Sequence, residues 1–396
     1  MKVTKEITQL LTRGVDQVIP KNDLAERLME GRPLRIKNGI DPTGPRLHLG
    51  HGMVLWKLRE FQKLGHQIVL IVGDFTGMIG DASDKQAMRQ PLTREQIEEN
   101  MKDYRDQFAQ ILDMKKVEIR YNSEWLKTLD FSQLLGLTQL FTVAQLIERE
   151  NFYERFSSKK PIGLQEFLYP IMQGYDSFAI QADVEIGGKD QLFNMMAGRK
   201  IQEKLGLRPQ SVLTLQTLET SDGKKMSKSW PNCVFIADSP TEQFGKIMAT
   251  SDDFIIPYFR LATDVDEKEI VALEEDLRTG EHPKAIKMRL AWEIVRRYHS
   301  DKQADAAQAE FENVFSKGGA PEDAEIIFVS EKKILLTDLL MQTKLVSSRG
   351  DAKRLISQRA VHVDDAIVDD ASAPIDVTKK RLVKIGKRRF AYVVKK

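Results

Sequence analysis

Between residues 34 and 73 the chain changes period twice. Leu34-Arg35-Ile36 leads into a turn-rich stretch, Gly39-Ile40-Asp41-Pro42-Thr43-Gly44-Pro45. After His48-Leu49-Gly50-His51, the apolar residues Val54, Leu58, Phe61 and Leu64 recur every third or fourth position, the spacing of one helix face, and Gly65 is placed to end that helix. Ile68 to Val72 is then unbroken apolar, the pattern of a strand covered on both faces. A long charged helix is expected from about Thr93, followed by a strand at Val117-Glu118-Ile119-Arg120-Tyr121 and helices around 132–149 and 164–180. A short strand, Val184-Glu185-Ile186, runs into Gly187-Gly188 and a helix from about Lys189, and Leu213 to Leu218 reads as the last strand before the loop 221–229. Strands alternating with helices predict a doubly wound parallel sheet, whose ligands bind outside the carboxyl ends of the strands.

From about 238 to 316 there is no strong strand signal, and periodic stretches such as Lys284 to Tyr298 predict packed helices. Ser316-Lys317-Gly318-Gly319-Ala320-Pro321-Glu322-Asp323 has linker chemistry. Beyond it, helices at Leu335 to Gln342 and Arg349 to Gln358 precede short valine-rich strands through Val394. The expected organisation is an α/β domain over 1–232, an α-helical domain over 233–320 and a small α+β domain over 330–396.

Composition narrows the class. Of 396 residues 41% are hydrophobic and 30% charged, enough apolar material for several cores. Sixty Lys and Arg against 58 Asp and Glu leave a net charge of +2, yet the last twenty residues hold Lys379, Lys380, Arg381, Lys384, Lys387, Arg388, Arg389, Lys395 and Lys396 with no acid. Cys233 is the only cysteine, so neither an intrachain disulfide nor a Cys-based zinc site is available. No apolar run has the length of a membrane span and the N-terminus lacks a signal-peptide core; a soluble cytoplasmic protein is expected.

Two segments carry candidate chemistry. His48 and His51 lie three residues apart where a strand hands over to a helix, which brings both imidazoles to one side of the first turn. Gly50 leaves the backbone open, and free N–H groups at a helix start favour a phosphate. The plainer alternative is that the histidines only cap the helix. Lys224-Lys225-Met226-Ser227-Lys228-Ser229 puts ammonium groups on a small-residue loop, suited to clamp a polyphosphate or simply to face solvent.

Together, in this order and about 175 residues apart, the two segments resemble the signatures of aminoacyl-tRNA synthetases built on a Rossmann-type fold. In the stretch Tyr169-Pro170-Ile171-Met172-Gln173-Gly174-Tyr175-Asp176, the residues 169, 173 and 176 share one helical face in an apolar setting, where polar groups need a partner. That pattern is similar to the tyrosyl-tRNA synthetases. The resemblance implies that Tyr169, Gln173 and Asp81 hold the substrate ammonium and that Asp176 accepts the phenol hydroxyl. It further implies that Gly188 and Asp190 meet the ribose, that Gln191 meets the carboxylate, and that Asn122 belongs to the pocket. Asp41, Thr43, Gly50 and Ser227 match positions on the ATP side. His48, His51, Lys225 and Lys228, assisted by Thr43, would stabilise ATP and the departing pyrophosphate. A buried partner for the hydroxyl would reject phenylalanine, which leaves that partner unpaired.

One departure stands out. Many bacterial members place a second hydroxyl-binding tyrosine four residues before the Asp of Asp-Pro-Thr, and here that position is Lys37. The surrounding sequence resembles the subgroup lacking that tyrosine, which shifts hydroxyl recognition onto Asp176.

From about 334 the chain resembles a small RNA-binding domain shared by a ribosomal protein and many tyrosyl enzymes, carried by Ser347 to Ile356 and Ala360 to Asp364. Arg349, Lys353, Lys379, Lys380, Arg381, Lys387 and Arg388 would meet phosphates. The resemblance implies ATP as substrate, Mg²⁺ bound with it, no tightly held protein metal, tRNA(Tyr) as partner, and a homodimer. The alternatives are a tryptophan enzyme, another nucleotidyl transferase of this fold, or an RNA-binding protein with an inert catalytic half.

Overall fold

The computed structural model describes residues 5–81, 92–218, 233–280, 282–315, 326–364, 366–386 and 389–395. The described chain forms two compact units, Met1–Ser300 and Asp301–Lys396.

In the first unit a sheet is built from β1 (Val15–Ile19), β2 (Arg35–Ile40), β3 (Gln67–Val72), β4 (Val117–Tyr121), β5 (Val184–Gly188) and β6 (Ser211–Leu215). The order is β1-β6-β5-β2-β3-β4, with β2 to β6 parallel and β1 antiparallel on β6. Ile68 to Val72 are all buried, which is why β3 shows no polar alternation. The first strand is absent from the sequence reading. Val15-Asp16-Gln17-Val18-Ile19 has no clean period, its register slips between Val15 and Gln17, and it becomes a strand because the open edge of β6 pairs with it.

The strand order carries the key geometry. From β2 the chain proceeds outward through β3 and β4, then returns to β5 on the other side of β2. The segments leaving β2 and β5 therefore diverge, and a crevice opens at their carboxyl ends.

The helix Leu49–Lys63 follows the histidine segment, and Gly65 closes it at φ +88°, a left-handed conformation that glycine adopts without strain. In place of one long charged helix after Thr93 there are two, Arg94–Met101 and Tyr104–Ala109. The second is turned inward: the Tyr104 hydroxyl donates to the Gly44 carbonyl at 2.8 Å, and the Gln107 side chain bonds the Pro45 carbonyl and the Leu47 N–H at 2.8 and 2.7 Å. These bonds hold the segment that leads into His48. The region 132–149 likewise divides into Phe131–Thr138 and Val143–Ile147, and a short turn at Lys189–Gln191 precedes the helix Leu192–Lys204.

Helix Leu164–Ala179 lies against Leu192–Lys204 at backbone distance. A Cβ on Gly174 would stand 2.9 Å from the Gly198 nitrogen and 3.0 Å from the Ala197 carbonyl carbon, so only glycine permits this approach. Residues 240–298 hold the helices Pro240–Met248, Ile255–Ala262, Glu267–Thr279 and Pro283–Tyr298, and no strand among the described residues, as the pattern predicted.

The second unit begins with helix Asp301–Phe315; the linker segment 316–323 lies outside the described residues. Its strands are β7 (Ile326–Val329), β8 (Lys333–Leu335), β9 (Val361–Val363), β10 (Ala366–Ile367), β11 (Pro374–Asp376), β12 (Arg381–Ile385) and β13 (Arg389–Lys395). A five-stranded sheet, β10-β9-β12-β13-β7, and a β11-β8 pair enclose a core with helices Leu336–Gln342 and Arg349–Ser357. Leu336, Leu339, Leu340, Ile356, Val361, Val383 and Val393 are at its centre. The architecture is thus a doubly wound, mostly parallel α/β sheet, a helical continuation and a small α+β unit. No helix among the described residues is long and apolar enough to cross a membrane.

Candidate active site

A cleft of about 410 Å³ occupies the crevice between β2 and β5. Asp41, Thr43, His48, Gly50, His51, Asp81, Asn122, Tyr169, Gln173, Asp176, Gly188, Asp190 and Gln191 all line it. These residues come from six separate stretches of chain, and only the sheet topology brings them together. Lys225, Ser227 and Lys228 lie outside the described residues. The described residues flanking that segment are at the cleft: Leu218 lines it, and the Val234 carbonyl accepts from the Leu49 N–H at 3.0 Å beside His48.

His48 is the N-cap of helix Leu49–Lys63, with Nδ1 accepting from the Gly50 N–H at 3.1 Å. His51 Nδ1 accepts in turn from the His48 N–H at 3.3 Å. The ring centroids are 4.0 Å apart, so the three-residue spacing does place both imidazoles together. Capping and facing the cleft are one arrangement here. With Nδ1 of each ring engaged on the backbone, Nε2 is the nitrogen directed away from the helix start. Gly50 is required at this point because a Cβ would lie 2.9 Å from the His48 ring.

Asp176, in the lining of the same cleft, is buried. Its Oδ1 accepts from the Trp125 indole N–H at 2.8 Å and its Oδ2 from the Asn122 amide at 3.4 Å. Burial pushes this carboxyl up to about 7, while the charge of Lys37 and the Trp125 and Asn122 donors pull it down. A carboxylate in such a place is an acceptor for a ligand donor, because the protein supplies too few donors for its four lone-pair sites.

From Asp176 a polar chain runs around the cleft wall. Asn122 also donates to Thr76 Oγ1 at 2.9 Å, Thr76 donates to Asp41 Oδ1 at 2.8 Å, and the Tyr169 hydroxyl donates to Asp41 Oδ2 at 2.8 Å. Burial holds the Tyr169 phenol well above its ordinary range, with the charge of Asp41 adding to the effect. A second chain crosses below. Gln191 Nε2 donates to Asp81 at 2.7 Å, Asn194 Nδ2 donates to Gln191 Oε1 at 3.1 Å and to Gln173 Oε1 at 3.0 Å. Asp81 and Gln173 are thereby linked through Gln191 and Asn194, and both line the cleft.

Lys37 does not face the cleft. It is fully buried, its Nζ 2.9 Å from Glu185 Oε1 and donating to Ser177 Oγ and the Gln173 carbonyl, both at 2.8 Å.

Sequence reasoning missed Trp125, Thr76, Asn194 and Glu185. Asn194 stands three positions after Gln191, a one-face helical spacing that was legible; the other three have no local signal and are recruited by packing.

In the second unit Arg349, Lys353, Lys379 and Lys380 are exposed and Arg381 is half-buried, while Lys387 and Arg388 lie outside the described residues. Arg349 pairs with Asp338 at 2.8 Å, Arg381 with Asp364 at 2.7 Å, and Lys380 sits over the Tyr392 ring at 3.7 Å.

Comparison with known proteins adds an independent line. The family described as tRNA synthetases class I (W and Y) matches residues 29–316, and the S4 domain matches residues 336–379. The chain is 44% identical to a tyrosine--tRNA ligase of Thermotoga maritima over 98% of its own length and 96% of the relative's. It is equally identical to the tyrosine--tRNA ligase of Mannheimia succiniciproducens, over 97% of both chains. Among solved structures, the tyrosyl-tRNA synthetase of Archaeoglobus fulgidus complexed with L-tyrosine has a TM-score of 0.62 at 22% identity, covering 78% of this chain and 100% of that one, a likeness of fold.

Proposed function

Since the chain belongs to the tyrosyl-tRNA synthetase family of class I, we propose that the cleft between β2 and β5 is where tyrosine is activated. The enzyme joins tyrosine to ATP as tyrosyl-adenylate, releasing pyrophosphate, and transfers the tyrosyl group to the terminal adenosine of tRNA(Tyr). The observation that carries the site reading is Asp176, a buried carboxylate lining the same cleft as two helix-capping imidazoles.

In this reading the phenol hydroxyl of tyrosine donates to Asp176. The substrate ammonium is held by Asp81, Tyr169 and Gln173. Gln191 meets its carboxylate, and Gly188 and Asp190 the ribose. The carboxylate attacks the α-phosphate of ATP, which enters over Asp41, Thr43 and Gly50 with Mg²⁺ as part of the substrate. No side chain becomes a nucleophile. His48 and His51 donate from Nε2 to phosphate oxygens as charge shifts toward the leaving pyrophosphate, and Lys225 and Lys228, with Ser227, meet that pyrophosphate. The rate gain comes from positioning and from charge placed ahead of the transition state.

Residues 1–232 are then the catalytic domain, 233–320 the helical anticodon-side domain and 330–396 the RNA-binding domain. There Arg349, Lys353, Lys379, Lys380, Arg381, Lys387 and Arg388 meet tRNA phosphates. A homodimer is supported by apolar side chains exposed within one stretch, among them Phe131 at 75%, Val143 at 62%, Phe156 at 59% and Leu164 at 77%. The place of action is the cytoplasm, where tRNA is charged and a lone buried thiol such as Cys233 stays reduced.

The deciding experiment is amino-acid-dependent ATP–pyrophosphate exchange without tRNA. Exchange with tyrosine, and none with tryptophan or phenylalanine, is expected. Silence with tyrosine from folded protein would overturn the reading, and exchange with tryptophan would redirect it.

A further inference from the structure

Lys37 on β2 and Glu185 on β5 are partners in register across adjacent parallel strands, so both side chains leave the sheet on one face. Their relative exposures are 0% and 1%, and neither is a residue a sheet interior accepts at random. All three protons of the Lys37 ammonium are used, on Glu185, Ser177 Oγ and the Gln173 carbonyl. Glu185 accepts in addition from Ser177 Oγ at 3.0 Å, Gln210 Nε2 at 2.5 Å and Gln173 Nε2 at 3.2 Å. An apolar pair of similar volume would serve stability as well or better, so stability alone does not explain two buried charges.

What the pair touches is informative. Gln173 is held twice, by Lys37 at its carbonyl and by Glu185 at its side-chain amide. A carboxylate can only accept, so the amide nitrogen of Gln173 must face Glu185, and its oxygen Oε1 must face the other way, toward Asn194 and the Asp81–Gln191 pair. Asp176 lies between the two helix residues that Lys37 grips, Gln173 and Ser177.

We propose that Lys37 and Glu185 form a positioning pair for amino-acid selection: Glu185 turns the Gln173 amide so that its oxygen meets the substrate ammonium, and Lys37 sets positive charge behind Asp176 so that its carboxylate stays ionised and accepts the hydrogen bond of the phenol hydroxyl. The proposal rests on the cleft being the tyrosine site. Glu185 is part of the cleft lining and acts on the substrate through Gln173, whereas Lys37 is not part of the lining and takes over, from outside it, part of what a second hydroxyl-binding side chain would do from inside the cleft.

The charged and titratable groups around Asp176 are Lys37 on β2, Glu185 on β5 and Tyr169 on its own helix, while Trp125 and Asn122 are neutral donors. Lys37 lowers the Asp176 pKa and Glu185 raises it, Lys37 having the larger effect. Charge removal at the two sites should therefore move the titration in opposite directions, which a purely structural pair would not do.

The test compares wild type, Glu185→Gln and the double variant Lys37→Met/Glu185→Gln. The readouts are tyrosine affinity against pH and the tyrosine-to-phenylalanine ratio of kcat/KM in pyrophosphate exchange. The expected result is an inflection moved down in Glu185→Gln and up in the double variant. The discrimination ratio of the double variant should fall at least tenfold, through KM. A wild-type inflection and ratio in folded variants would overturn the proposal. Should the double variant not fold, the direction of the Glu185→Gln shift decides alone: downward supports the pair, unchanged or upward rejects it. Absence of tyrosine-dependent exchange in wild type would count against the site reading; intact wild-type exchange with unmoved variants would count against the pair only.

Discussion

The indole N–H of Trp125 donates at 2.8 Å to Asp176, a residue of the cleft lining. Trp125 stands in the short helix Ser123–Leu126 just after β4, and Asp176 in helix Leu164–Ala179, so the bond ties two separate elements at the residue proposed to read the substrate hydroxyl. A hydrogen bond to a charged group contributes about 1.5–3 kcal/mol, and here it goes to the ionised form of Asp176.

Trp125→Phe keeps most of the packing and removes the donor. Because that donor lowers the Asp176 pKa, the inflection in tyrosine affinity should move upward from about 7. Affinity at neutral pH should fall about tenfold. Calorimetric titration with tyrosine between pH 5.5 and 8.5, all values about half a unit apart, measures both. Superimposable profiles would remove Trp125 from hydroxyl recognition.

Asp176 also makes folding stability depend on pH. Its carboxyl is raised in the folded protein from an ordinary 3.8 to about 7. The folded state therefore holds this proton more tightly than the unfolded chain. That stabilisation is complete below the unfolded value and is lost as pH rises through about 7. Asp176→Asn has no such term. Relative to wild type it should gain stability between about pH 4 and 7, by on the order of a few kcal/mol, and the difference should level off above that range. Chemical denaturation across the range tests the slope; parallel curves would place Asp176 at an ordinary pKa.

His51→Asn should separate binding from chemistry. Asparagine can still accept from the His48 N–H, so the helix start survives. Loss of a donor that acts in the transition state should lower the rate of adenylate formation by about 10²–10³-fold while tyrosine binding stays within about twofold. Equal losses in rate and binding would remove the transition-state role.

Gly73→Ala tests the polar chain along the wall. Its Cβ would overlap Asp41 Oδ1 and Thr76 Oγ1, so both must move and the Thr76–Asp41 bond that joins them is disrupted. The expected result is a loss of about 1–3 kcal/mol in stability together with weakened tyrosine binding. Wild-type stability and binding in this variant would show that the Asp41 junction is not required.

Lys353→Ala and Lys379→Ala act in the second unit, on exposed cations for which phosphate contact is proposed. Each should weaken tRNA binding and reduce the slope of log affinity against log salt by about 1 or less, with tyrosine-dependent exchange unchanged. An unaltered salt slope in the double variant would move the RNA surface elsewhere.

Much of this was legible in the residues. The unbroken Ile68–Val72 run required a strand buried on both faces, the His48–His51 spacing required two imidazoles over one helix start, and the 169, 173, 176 spacing put a phenol, an amide and a carboxylate on one face. Those features are local, because helical and strand periods translate sequence spacing directly into direction. What the sequence left open was whatever depended on a distant partner. β1 has no period of its own and exists because β6 presents an unpaired edge. The charged stretch after Thr93 breaks into two helices because Tyr104 and Gln107 find acceptors at Gly44 and Pro45. Lys37 read as a departure without an explanation, and only the parallel pairing of β2 with β5 supplied Glu185 beside it. A buried charge is stable only with its counter-charge, and the position of that counter-charge along the chain is set by sheet topology, which no local pattern encodes.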